Sequence, residues 1–134
     1  MKISKGYWIL IVIGILVLSV MFLRFFIGGS EDSWIKDERG IYVKHGNPAE
    51  TPDYVKEQQD LIKGVLELYN SRKASGMVFS SQCLGRVDGY AVDVVHVPRI
   101  AEDDLIENQC QEYRNGNVKH FIELDKDGNI VRVE

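Results

Sequence analysis

Cys83 and Cys110 are the only cysteines of the chain, and His96, Arg99, Glu102, Asp103 and Asp104 stand between them. These residue types offer three kinds of chemistry. Two cysteines in an oxidising compartment pair; this bridge closes a loop of about 26 residues, which the chain-entropy account values at about 3 kcal/mol. A free Cys83 with His96 and Asp93 would instead supply a thiol nucleophile, a base and an orienting acid. The residues around Cys83 match no known cysteine-hydrolase signature, and a second cysteine makes pairing the simpler reading. Arg99 beside three carboxylates either recognises a ligand or forms a solvated ion network. Pro98 ends the preceding apolar stretch, so these charges fall in a loop, and loops on a rigid scaffold often carry binding. The expectation is a Cys83–Cys110 disulfide and a candidate binding loop of His96, Arg99, Glu102, Asp103 and Asp104. On that expectation Arg99→Ala abolishes partner capture and leaves folding intact. No catalytic residue is assigned.

Metal chemistry has weaker support. His45, His96 and His120, with Asp93 or Glu123, are widely separated and include no H-x-x-x-H or H-E-x-x-H pair. His96 and His120 alternate with apolar neighbours and read as lining one sheet face. Asp125 to Asn129 is similar to the opening of a calcium loop, but Ile130 occupies the sixth position where glycine is needed. A tight turn accounts for these residues. Neither a metal nor a cofactor is expected.

The elements that position these residues follow from periodicity. Trp34-Ile35-Lys36 and Ile41-Tyr42-Val43-Lys44 flank Asp37-Glu38-Arg39-Gly40, a hairpin with glycine where a positive φ is needed. Thr51-Pro52-Asp53 predicts a helix start, with Thr51 as cap, Pro52 in the first turn and Asp53 opposing the positive helix end. Tyr54, Leu61, Ile62, Val65, Leu68 and Tyr69 fall on one face of a helix ending near Arg72 to Gly76. Gly64 within it permits close packing against a strand. The period then changes to two, predicting strands at 77–83, 90–97, 108–113, 118–124 and 129–133, the last two joined by the Asp125–Asn129 turn. Hairpin, helix and a run of strands give an α+β domain with one amphipathic helix on an antiparallel sheet. This order resembles cystatin-like rolls, a likeness of fold that carries no activity.

Upstream of the domain lies Tyr7 to Ile27, YWILIVIGILVLSVMFLRFFI, 21 residues with Arg24 as the one charge. As a helix it would extend roughly 31 Å, close to the ~30 Å hydrocarbon thickness of a bilayer. Lys2 and Lys5 precede it, and Glu31 and Asp32 follow. Basic residues on a short first flank favour a cytoplasmic N-terminus, with Arg24 snorkelling to the headgroups. The organisation read from the sequence is a cytoplasmic N-terminus at 1–6, a transmembrane helix at 7–27, a tether at 28–33 and an outer domain at 34–134. A cleaved signal is the competing reading. Its apolar region is normally about 7–15 residues, although Gly28-Gly29-Ser30 is a tolerable cleavage context. Lys5-Gly6-Tyr7 also resembles the start of a type IV pilin precursor, which implies processing after Gly6 and a mature chain beginning at Tyr7. Ile11 departs from that pattern, where the family has Glu, as does Gly28-Gly29, which interrupts a continuous stem.

Composition narrows the partners. All 20 Asp and Glu lie after Ile27, whereas Lys2, Lys5 and Arg24 precede it, so the outer part is more acidic than the chain's formal −4. Nucleic-acid binding rests on neutralising phosphates with basic side chains, so no nucleic-acid partner is expected. The sequence thus describes a membrane-anchored extracytoplasmic binding or structural module of the cell envelope, touching lipid through 7–27. The alternatives are a pilin-like subunit and a small surface hydrolase using Cys83 or His96.

Overall fold

The computed structural model describes residues 5–23 and 32–134. The chain divides into two compact units, Met1–Glu31 and Asp32–Glu134. In the first, α1 (Lys5–Phe22) is an 18-residue helix with no acid in its first turn and no base in its last. Leu10 and Leu18 are each 68% exposed, and apolar side chains point outward along its whole length. Among the described residues no helix is long and apolar enough to cross a membrane. At 1.5 Å per residue α1 covers about 27 Å. Lys2, residues 24–27 with Arg24, and Gly28-Gly29 lie outside the described residues.

The second unit is α+β. β1 (Ser33–Lys36) and β2 (Tyr42–His45) form the expected antiparallel hairpin, with Gly40 at φ +82° in its turn. α2 (Asp53–Ala74) follows, then β3 (Gln82–Val87) and β4 (Tyr90–Val94). A crossover contains two short 3-10 turns, Ala101–Asp104 and Ile106–Asn108, and the single helical turn α3 (Gln111–Arg114). β5 (His120–Leu124) and β6 (Ile130–Val133) close the chain. The four-stranded sheet has the order β3-β4-β5-β6. Its outer pairs are antiparallel, but β4 and β5 run parallel, so the sheet is mixed rather than antiparallel throughout.

Period-two alternation sorts the sheet residues between two layers. Val92, Val94, Ile122, Leu124 and Val133 pack with Leu84 against Leu61, Val65 and Tyr69 of α2. Ala91 and Phe121 join Cys110, Val118 and Tyr113 of the crossover in a second, smaller cluster. A parallel pair needs a crossover of a dozen or more residues, and here that crossover covers the second face.

Several expected positions shift. Pro52, not Thr51, is the N-cap of α2; its carbonyl accepts the N–H groups of Val55 and Lys56 at 3.0 and 3.2 Å, and no side chain caps the helix. Val55 is fully buried while Tyr54 is half exposed, its ring tilted 58° against that of Tyr42 of the hairpin at 4.8 Å. Residues 77–81 are irregular and the strand begins only at Gln82; Asp88 and Gly89, both at positive φ, then make a two-residue turn into β4. Such a turn matches the twist of the strands it joins. Residues 108–113 form no strand, since Cys110 caps α3.

The hairpin guards one sheet edge. Val133 N–H donates to the Arg39 carbonyl at 2.7 Å, and a Cβ on Gly40 would collide with the Val133 carbonyl oxygen. Gln58 of α2 holds the hairpin from the other side, accepting from Tyr42 N–H at 2.7 Å and donating to the Gly40 carbonyl at 2.8 Å. That contact shields the end of the edge strand from pairing with a foreign strand.

Candidate functional site

Four side chains line up across the sheet on the face that the crossover covers. Cys83 of β3 is opposite Asp93 of β4, Asp93 opposite Glu123 of β5, and Glu123 opposite Arg132 of β6. Cys83 is bonded to Cys110 with Cα atoms 4.7 Å apart, fastening β3 to the start of α3. The disulfide expected from the sequence is therefore present, and no thiol is free. Cys83, Asp93 and Cys110 bring three ligand-type atoms within 4.8 Å, but both sulfurs are consumed by the bond. The thiol-hydrolase alternative loses its nucleophile.

Asp93 and Glu123 are neighbouring carboxylates with 8% and 6% exposure. Their surroundings differ. Glu123 accepts a hydrogen bond from Arg99 Nη1 at 2.8 Å, whereas Asp93 Oδ1 accepts only the Cys110 backbone N–H, at 3.1 Å. Burial raises the Asp93 pKa to about 6, and the Glu123 charge adds to the rise; the Cys110 N–H and the Arg99 charge oppose it. This is the pattern of desolvation beside a like charge.

The loop singled out from the sequence folds down onto this row. Arg99 Nε donates to Asp104 at 3.0 Å and Nη2 to the Asp103 carbonyl at 3.2 Å. Its hydrogen bond to Glu123, with that of Asp104, holds its pKa above the ordinary value despite partial burial. Asp103 is 3% exposed and accepts from Ile100 N–H at 2.8 Å, from His96 N–H at 3.1 Å and from the His96 ring at 3.0 Å. Burial works to raise its pKa, but these bonds prevail and leave it lowered. Asp103 thus folds the loop around itself. Glu102 contributes its carbonyl, which accepts from Ser81 and Asn108.

Arg99, Asp103 and Asp104 come together, joined by Glu123 and Asp93. His96 lies beyond the end of β4 with its ring on Asp103, while His120 begins β5 with its ring 5.1 Å from that of Tyr90. The two histidines do not line one face, and His96 makes no pair with Asp93. Asp93 and Glu123 enter the sequence reading only as possible metal ligands, Arg132 does not enter it, and the role of Asp93 as the carboxylate without a bonded cation was not legible. The alternation within each strand placed them on one face, but their adjacency depends on the β4–β5 pairing.

Between row and loop lies a cleft of about 240 Å³, lined among others by Asp93, Arg99, Asn108, Tyr113, Glu123 and Arg132. A second concavity of about 650 Å³ between the hairpin, α2 and the sheet carries Tyr42, Tyr54, Tyr90 and His120. Its charged side chains, including Glu57, Asp60 and Asp88, are exposed. Water already satisfies those, so the first cleft is the chemically distinctive one. Comparison with protein-family models, curated proteins and solved structures returns no match.

Proposed function

We propose that the protein is a single-pass, membrane-anchored binding module of the cell envelope, with its N-terminus in the cytoplasm and its α+β domain outside. The observation that carries this reading is α1, a helix apolar on every side with its side chains turned outward. A helix of that kind is at home in a bilayer or a large protein core. Tyr7 to Ile27 continues the apolar run beyond the described helix and supplies the length of a span. The Cys83–Cys110 bond agrees with an oxidising exterior. The cleft above the Asp93–Glu123 pair is the binding surface, because a fixed scaffold holds the loop that frames it.

Alkaline carbonate extraction of membranes from cells making the full-length chain, combined with protease added from outside, tests the anchor. The expected result is retention in the pellet with the domain digested from the exterior; release into the supernatant would overturn it. A photocrosslinker at Asn108, on the lip of the cleft, tests the binding surface. It is expected to trap an envelope partner that the same probe at the remote, exposed Lys63 does not.

A further inference from the structure

The Asp93–Glu123 pair has fewer bonded cations than carboxylates. Two carboxylates face each other across a parallel pair, both more than nine-tenths buried, and the one cation bonded to the row, Arg99, is committed to Glu123. Asp93 has a single protein partner, the Cys110 N–H, on Oδ1. Among the described residues no side-chain oxygen sealed in the interior lacks a partner, so the second oxygen of Asp93 is the one that reaches the cleft. The other charged groups facing it are already engaged. Arg132 holds Glu134 at 2.5 Å with its guanidinium over the Phe121 ring, and Asp103 is wrapped by its own loop. Arg99 and Arg132 both line the cleft, yet Asp93 is the carboxylate of the pair with no cation bonded to it.

From this geometry we infer that the cleft receives the ammonium group of a lysine side chain presented by a partner polypeptide. Its volume falls below the roughly 300–1,000 Å³ of sites for drug-sized ligands, which suits one side-chain end. A single available oxygen suits a compact ammonium, whereas a guanidinium fork is matched by two oxygens of one carboxylate. Glu102, Asp104 and Glu107 are exposed on the crossover that frames the cleft, an acidic surface that attracts a basic chain. The inference rests on the cleft being the binding surface and is independent of the anchor.

The test is a carboxyl-carbon NMR titration of the full-length chain in mild detergent, with aspartate labelled. The probes are Nα-acetyl-lysine amide, its neutral counterpart Nα-acetyl-norleucine amide, and phosphoethanolamine. The lysine probe is expected to bind and to lower the apparent pKa of Asp93 by about one unit at saturation, since a bound cation favours the carboxylate. The norleucine probe should do neither, and Asp93→Asn should weaken the lysine probe at least ~10-fold. Equal binding of norleucine, tighter binding of phosphoethanolamine, or an Asp93 titration unmoved by the lysine probe would each overturn the proposal. The wild-type titration decides the matter even if Asp93→Asn fails to fold. Crosslinking at Asn108 without any response to the lysine probe removes the ligand class and leaves the binding surface standing.

Discussion

Burial holds the Asp93 carboxyl near a pKa of about 6, against 3.8 for an ordinary aspartate. A raised folded-state pKa means that the protonated form is favoured in the fold. The stability so gained is fully present below 3.8 and is lost as pH rises through about 6, an effect on the order of 3 kcal/mol. Asp93→Asn should therefore stabilise the domain by about 1–2 kcal/mol at pH 7.5, once the weaker acceptance from Cys110 N–H is allowed for. The gain should vanish near pH 4, and urea denaturation at the two pH values measures it. Asp103 behaves oppositely: its lowered pKa gives stability present above the ordinary value and lost on acidification. Arg99 combines both concerns. Its guanidinium compensates Glu123, so Arg99→Ala, which the sequence reading expects to leave folding intact, is predicted to strip a buried carboxylate of its cation and to lower stability. With the Arg99 side chain 41% exposed, the expected loss is about 1–3 kcal/mol in denaturant midpoint, less than for a fully buried pair.

At the scale of elements, Gly64 is where α2 meets β3. A Cβ there would lie 2.9 Å from Val87 Cγ1, and a valine has little freedom to rotate away. Alanine improves helix propensity by about 1 kcal/mol, but the overpacking costs about 1–3 kcal/mol. Gly64→Ala should thus destabilise by about 1 kcal/mol in the native background and stabilise in a Val87→Ala background; a double-mutant cycle in urea reads the change of sign. This close approach was legible, because a glycine inside a strongly periodic helix invites it. So were α2, the first hairpin and the β5–β6 hairpin, all of which rest on contacts between near neighbours in sequence. The crossover was not. Residues 108–113 have a strand-like pattern, yet Cys110 is drawn to Cys83 and its N–H to Asp93, and one helical turn follows. Likewise the β4–β5 pairing joins strands far apart in sequence, which no local period reveals. The candidate site inherits that blindness: its loop was visible, but the floor beneath it was not.

For the whole molecule, the proposed anchor makes a quantitative claim. An arginine at the centre of a spanning helix costs about 2.5–3.5 kcal/mol on insertion scales. Leu16→Arg, at the middle of the Tyr7–Ile27 run, should move a clear fraction of the chain from the carbonate-resistant pellet to the soluble fraction. An intact mass beginning at Tyr7 would instead show processing after Gly6. The outer domain has its own division of labour. α2 and the helix-facing half of the sheet form the larger core, while the crossover is fastened at its far end by Cys83–Cys110. Its exposed side chains can therefore change with little disturbance to the hydrophobic layer on the opposite face. Within the segment between Pro98 and Gln109, the exposed positions such as Ile106 and Glu107 form in that sense an exchangeable cassette: new specificities could be grafted there, by selection or by design, with Arg99 and Asp103 kept to hold Glu123 and the loop.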